Sequence, residues 1–247
     1  MKSRMLNTEW PRFNAFYFML ICFTTFMAYE TTLAAQTSKR LYLVLIDETD
    51  SFGLYKGKGV VDTLYWQEAI RLTRSIIGRL EPSDEFALIG IDEQGFDEED
   101  VRIPFEELDE GFLRAKMQQS GLARKLMALQ RRKNKHRSTD ILGALYQAAH
   151  FAANEPDHET IIFCFSDMKQ EPQWPSAEDA KNLKFPAGTK GFFFYVDASG
   201  RKNYDKIVSV WEPVLRHAGL GIYNGQVLSF FQQGNSNLKL NKILQGL

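Results

Sequence analysis

Residues Leu41 to Ser51 read Leu-Tyr-Leu-Val-Leu-Ile-Asp-Glu-Thr-Asp-Ser. The apolar run Leu41 to Ile46, bounded by polar residues on both sides, predicts a strand buried on both faces of a parallel sheet. That strand delivers Asp47, Thr49 and Ser51 to the loop at its C-terminal end, where ligands bind in open α/β sheets. The spacing Asp-x-Thr-x-Ser lets one carboxylate and two hydroxyls converge on one point. Oxygen ligands of this kind suit a hard cation such as Mg²⁺.

Outward from this strand the chain alternates strand and helix patterns. Glycines 53, 57 and 59 predict a loop, and Val61, Leu64, Tyr65, Ala69, Leu72 and Ile76 follow a near-helical period within a helix from Val60 to Leu80. Phe86–Ile91 reads as a second strand. Val101–Phe105 alternates apolar residues with polar ones and a proline, which predicts an edge strand. Helices are expected over Gly111–Gln130 and Ile141–Ala153, the second opening after Thr139-Asp140. Thr160–Phe165 is an apolar strand ending in Ser166-Asp167. A short helix over Ala177–Leu183 sits among Pro172, Pro175 and Pro186. Gly191–Val196 is a further strand and ends in Asp197. The helix Tyr204–His217 has to accommodate Pro213 as a kink or break. Gln226–Phe231 reads as the last strand and Leu238–Leu244 as a closing helix. Alternation of this kind implies crossover connections. The expected fold is α/β: a doubly wound, mainly parallel sheet with helices on both faces and one antiparallel edge strand.

The N-terminus has a different character. Lys2, Arg4 and Arg12 precede a mostly apolar run from Phe13 to Tyr29, followed by the small residues Thr31, Thr32, Ala34 and Ala35. A basic head, apolar middle and small-residue end predict a secretory signal peptide over residues 1–35. The rival is an uncleaved signal anchor, since 17 residues lie at the short end of the spanning range of about 17–25. Met19 to Cys22 faintly resembles a lipoprotein box, but bulky Ile21 stands where a small residue is expected. Both leading readings export residues 36–247 as one domain, to the periplasm or the cell exterior, because the positive charges stay on the cytoplasmic side. Membrane contact is then expected only through an uncleaved N-terminal segment.

Composition excludes some classes of function. Thirty basic residues against thirty-one acidic ones give no case for nucleic-acid binding. The first 35 residues hold three basic and two acidic residues, so the remainder balances 27 against 29. Cys22 and Cys164 have no metal-ligand or redox spacing, and Cys164 in its apolar strand reads as a small buried hydrophobe. His136, His150, His158 and His217 are scattered without zinc-ligand spacing.

Asp47-x-Thr49-x-Ser51, then Ser138-Thr139-Asp140 before a helix, then an apolar strand ending in Ser166-Asp167, together resemble the von Willebrand factor type A domain. The resemblance covers residues 40 to 232. It implies a metal-ion-dependent adhesion site for Mg²⁺, Mn²⁺ or Ca²⁺. On that likeness Ser51 and Thr139 give hydroxyl oxygens directly to the cation, while Asp47, Thr49 and Asp167 complete the shell, partly through water. It also implies a protein partner whose Glu or Asp fills an open coordination position, with no catalysis. Thr49 stands where serine is commoner and keeps the hydroxyl. Met168 stands where many members place a glycine. Asp197 matches no ligand of the family.

Two charge runs accompany these motifs. Arg131, Arg132, Lys133, Lys135 and Arg137, with His136, precede Thr139, and Asp92 to Asp100 is strongly acidic. Either is an ordinary solvated stretch, or the basic run steers an acidic partner toward the metal face. Two other functions compete with this reading. A strand ending in Asp-Glu-Thr-Asp resembles the nucleophile motif of haloacid-dehalogenase-like phosphatases, but Thr49 replaces the second aspartate that such metal-dependent phosphoryl transfer needs. Ser166 lacks the flanking glycines of a nucleophile elbow. The remaining alternative is a structural subunit whose metal only stabilises the fold.

Overall fold

The computed structural model describes residues 39–49, 52, 64–92, 101–129, 139–170, 174–176, 178–196, 201–220, 222–223, 226–227, 229–231 and 236–247. The expected signal over 1–35, Ser51, the basic run Arg131 to Arg137 and Asp197 lie outside these residues, as does the acidic run after Asp92.

Strand β1, Arg40–Asp47, is buried along its whole length except at Arg40, as its apolar run predicts. It lies in the middle of a six-stranded sheet. On one side it pairs in parallel with β2, Glu85–Ile91, which pairs antiparallel with the edge strand β3, Val101–Glu107. On the other side follow β4, Glu159–Phe165, and β5, Lys190–Phe194, both parallel. The last strand of this sheet is Ser229–Phe231, also parallel.

Side chains on a strand alternate between the two faces, and two apolar layers result. Leu41, Leu43 and Leu45 share a core with Ala87 and Ile89 of β2, with Ala144, Leu145 and Ala148 of the helix Ile141–Asn154, and with Trp211 and Leu215 of the helix Arg201–His217. Tyr42, Val44 and Ile46 face the other layer, built by helix α1, Leu64–Ile77, helix α2, Phe112–Leu129, and the C-terminal helix Ser236–Gly246. In chain order the last three helices are α3, Ile141–Asn154, α4, Arg201–His217, and α5, Ser236–Gly246. The doubly wound, mainly parallel arrangement with one antiparallel edge is therefore present. Among the described residues no helix is long and apolar enough to cross a membrane.

Three local expectations are corrected. The stretch expected as a helix over Ala177–Leu183 forms turns in its described part: Lys181 N–H bonds the Glu178 carbonyl and Leu183 N–H the Ala180 carbonyl. Ser176 and Asp179 exchange side-chain and backbone bonds as a helix start would. The run is too short to offset helix nucleation, and Pro186 disfavours helix just before it. The single strand expected over Gln226–Phe231 is divided. Its first part, β7, Gln226–Val227, forms a small antiparallel pair with β6, Ile222–Tyr223, and only β8, Ser229–Phe231, joins the main sheet. Strand β5 ends at Phe194 rather than Val196, because Tyr195 adopts a positive φ of 69° and leaves the extended backbone. Helix α4 runs through Pro213, so the proline is accommodated within the helix instead of breaking it.

The chain order places a topological switch point between β1 and β4. From β1 the chain moves outward to β2 and β3, then returns through α3 to β4 on the opposite side. A crevice outside the C-terminal ends of two such strands is the ligand position of this architecture. Asp47 ends β1, and Ser166-Asp167 follows β4.

Candidate metal centre

At the switch point, three segments are tied together by hydrogen bonds. Asp47 is fully buried. Its Oδ1 accepts the Thr49 backbone N–H at 3.0 Å and the Thr49 hydroxyl at 2.6 Å. Its Oδ2 accepts the Ser166 hydroxyl at 2.7 Å, which joins the end of β1 to the end of β4. The Thr139 hydroxyl donates to Thr49 Oγ1 at 3.0 Å, which brings in the start of α3. Thr139 and Asp167 are both largely buried. Four of the five expected ligands, Asp47, Thr49, Thr139 and Asp167, therefore come from three chain segments that end at the switch point. The fifth, Ser51, is outside the described residues.

The surroundings explain why these groups are held in place. The N-cap of α3 is Asp140. Its side chain accepts the Gly143 N–H at 2.9 Å, and its own N–H bonds the Asp92 carbonyl at 2.8 Å. The Thr139 hydroxyl is thereby available to Thr49. Gln170 links the third segment to the same helix start: it donates to Asp140 Oδ1 and accepts the Leu142 N–H. On the far side of β1, Phe52 is buried against Tyr65 of α1 and Tyr195, with ring centroids 5.8 and 5.7 Å away. The Phe52 N–H bonds the Thr49 carbonyl at 3.2 Å, which ties Thr49 to this aromatic cluster.

Met168 answers a question raised by its position. Its φ is +61°, the left-handed region in which glycine has no steric penalty. A side chain here costs about 1–2 kcal/mol. Three contacts hold it: its N–H donates to Ser166 Oγ at 3.0 Å, its carbonyl accepts the Trp211 indole N–H at 2.8 Å, and its buried thioether lies 3.9 Å from Cys164 Sγ. The loop after Asp167 thus keeps a glycine-like backbone without a glycine. Burial pushes the Cys164 thiol well up, consistent with a packing role.

The site brings two carboxylates together. Burial, and after it the neighbouring Asp167 carboxylate, push Asp47 up to about 7, against the pull of its bonds from Thr49 and Ser166. Lys169 Nζ lies 3.5 Å from Asp167 Oδ2 at the partly open side. The donors are hydroxyls and carboxylates only, a hard oxygen set that fits Mg²⁺ or Mn²⁺. A divalent cation would also offset the two neighbouring carboxylates.

The sequence motifs do not announce a second layer. Glu48, Asp92 and Arg102 form a buried ion triad beside the site. Arg102 Nη2 lies 2.8 Å from Glu48 Oε2 and 3.1 Å from Asp92 Oδ2, with its side chain only 5% exposed. Gly90 makes room for it, since a Cβ there would stand 2.8 Å from Arg102 Nε. The Glu48 N–H extends the β1–β2 ladder to the Ile91 carbonyl. The only sequence trace of this triad is an arginine inside an alternating edge strand.

No protein-family model matches the chain, and no curated protein matches it in sequence. Among solved structures it is similar in fold to BatB from Bacteroides thetaiotaomicron, with 14% identity, a TM-score of 0.50 and coverage of 83% of this chain and 96% of that one. An aerotolerance-related membrane protein from Bacteroides fragilis gives 11% identity and a TM-score of 0.51, over 84% of this chain and 100% of that one. A von Willebrand factor type A protein from Catenulispora acidiphila is a looser likeness, with 15% identity and a TM-score of 0.47 over 85% of this chain and 42% of that one. The sheet order, its single antiparallel edge and the switch-point crevice make this the fold of a von Willebrand factor type A domain.

Proposed function

We propose that the chain is an exported interaction module that holds a divalent cation and docks a partner's carboxylate on it. Asp47, Thr49, Ser51, Thr139 and Asp167 are its metal residues. One observation carries this reading: the hydrogen-bonded chain from Ser166 through Asp47 and Thr49 to Thr139 gathers oxygen donors from three chain segments at one crevice. A bound Mg²⁺ or Mn²⁺ supplies a Lewis-acidic centre toward an incoming carboxylate. The protein's own groups do the positioning. Both oxygens of Asp47 are engaged, so it acts chiefly as a hub that orients Thr49 and Ser166. Thr139 and Ser51 contribute neutral oxygens, which leave the cation's charge for the partner.

The basic run Arg131 to Arg137 directly precedes Thr139 in the chain, and in this reading it steers an acidic partner toward the site. The N-terminal 35 residues direct export. Capture from the native envelope fraction tests the proposal, with wild-type and Asp47→Ala protein, each with and without EDTA. Retention of a partner by wild type in Mg²⁺ alone is expected. Equal recovery in all four conditions overturns it.

A further inference from the structure

At the opposite end of the sheet lies a second group of metal-ligating side chains. Glu85 opens β2, Glu155 caps the C-terminus of α3, and His158 stands in the turn that leads into β4. Glu85 alternates with Ala87 and Ile89, so it faces the same layer as α3. The register sets Glu85 beside Leu41, six residues before Asp47 along β1. At about 3.3 Å per residue the group is about 20 Å from the adhesion-type site.

Its geometry is unlike that of an ordinary surface cluster. His158 Nε2 is 3.4 Å from Glu85 Oε1, and His158 Nδ1 is 3.6 Å from Glu155 Oε2. The side chains of His158 and Glu85 are 7% and 5% exposed. Yet both ring nitrogens and Glu85 Oε2 lack a hydrogen-bond partner among the described residues. Buried polar atoms are normally satisfied, and leaving one unpaired costs about 1–3 kcal/mol. The separations are too long for N–H···O bonds, which run to about 3.2 Å. Only one ring nitrogen can ligate a given ion, and the 3.4 Å from His158 Nε2 to Glu85 Oε1 is close to the spacing of about 3.3 Å between two donors around a tetrahedral ion with bonds of about 2.0 Å. With one ligand atom taken from each residue, the three lie within 4.8 Å of one another.

We propose that Glu85, Glu155 and His158 form a second cation site, of the zinc class, at the N-terminal edge of the sheet. An imidazole nitrogen with two carboxylates selects zinc-like ions over Mg²⁺ and Ca²⁺, which take oxygen ligands in greater number. The negative end of the α3 dipole at Glu155 adds to the attraction for a cation. Three protein donors leave a fourth position for water, on the side of the partly exposed Glu155. Bound there, the ion ties the start of β2 to the α3–β4 turn, segments separated by some 70 positions in the chain.

The test uses the full chain, stripped of metal and dialysed against Zn²⁺ in excess Mg²⁺, with zinc per chain measured by atomic absorption. About one Zn²⁺ per chain is expected for wild type and for Asp47→Ala, which leaves this site intact. Glu155→Gln and His158→Gln are each expected to weaken zinc by more than tenfold, at least the loss seen when only a ligand's supporting partner is removed. Because Glu155 is partly exposed, Glu155→Gln keeps its fold and decides the matter if His158→Gln does not. Zinc that persists unchanged in Glu155→Gln, or that disappears in Asp47→Ala, overturns the proposal. So does wild type that takes up no zinc.

Discussion

The two ends of β1 hold polar clusters of opposite condition. At the C-terminal end, Asp47 has both oxygens bonded, Thr49 and Thr139 bond each other, and Arg102 bridges Glu48 and Asp92. At the N-terminal end, Glu85 and His158 are equally buried, but Glu85 Oε2 and both ring nitrogens make no hydrogen bond among the described residues. The difference teaches how a fold prepares a site. The first end is organised in advance by protein–protein bonds, so a cation there meets donors already oriented. At the second end the donors converge without hydrogen bonds to one another, and under the proposal above an ion would organise them.

The contrast can be broken most forcefully at Arg102. Arg102→Met leaves Glu48 and Asp92 as buried charges without their cation, and a loss of about 3–5 kcal/mol is expected in urea unfolding. A loss below about 1 kcal/mol would mean that water already solvates the triad. The next effect is metal linkage at the prepared end. At a hundred times its dissociation constant, Mg²⁺ adds about 2.7 kcal/mol to the unfolding free energy of wild type. In Asp47→Asn that increment is expected to vanish, because the hub has lost its charge. An equal increment in both proteins would place the stabilising ion elsewhere.

The smallest effect concerns the loop that closes this end. Met168→Ala and Met168→Gly lose nearly the same buried atoms, but only glycine relaxes at a φ of +61°. Met168→Gly is therefore expected to be more stable than Met168→Ala by about 1 kcal/mol. Thermal melts of the two variants that coincide would show that the loop simply changes conformation once the methionine is gone.

Much of the prepared end is legible in the chain. The apolar run Leu41 to Ile46 can only be a central strand, and its polar exit at Asp47 marks the sheet end where ligands collect. Thr139 before a helix and Asp167 after an apolar strand are readable in the same way, because each follows from a local pattern. Local pattern also misleads. Ala177–Leu183 looks helical but is too short between prolines to nucleate. Arg102 reads as one polar residue of an edge strand, since nothing nearby in sequence announces the two carboxylates it meets.

The histidines show this limit most clearly. They have no zinc-ligand spacing among themselves along the chain. His158 meets Glu85 only because β1 lies between β2 and β4 and brings their N-terminal ends to one edge. The sequence by itself determined the layers, the strand at their centre and the oxygen donors at its exit, because hydrophobic period and strand ends are local properties. Only the tertiary structure decided which distant charges are paired and which are left facing one another, because those contacts depend on strand order and register across the sheet.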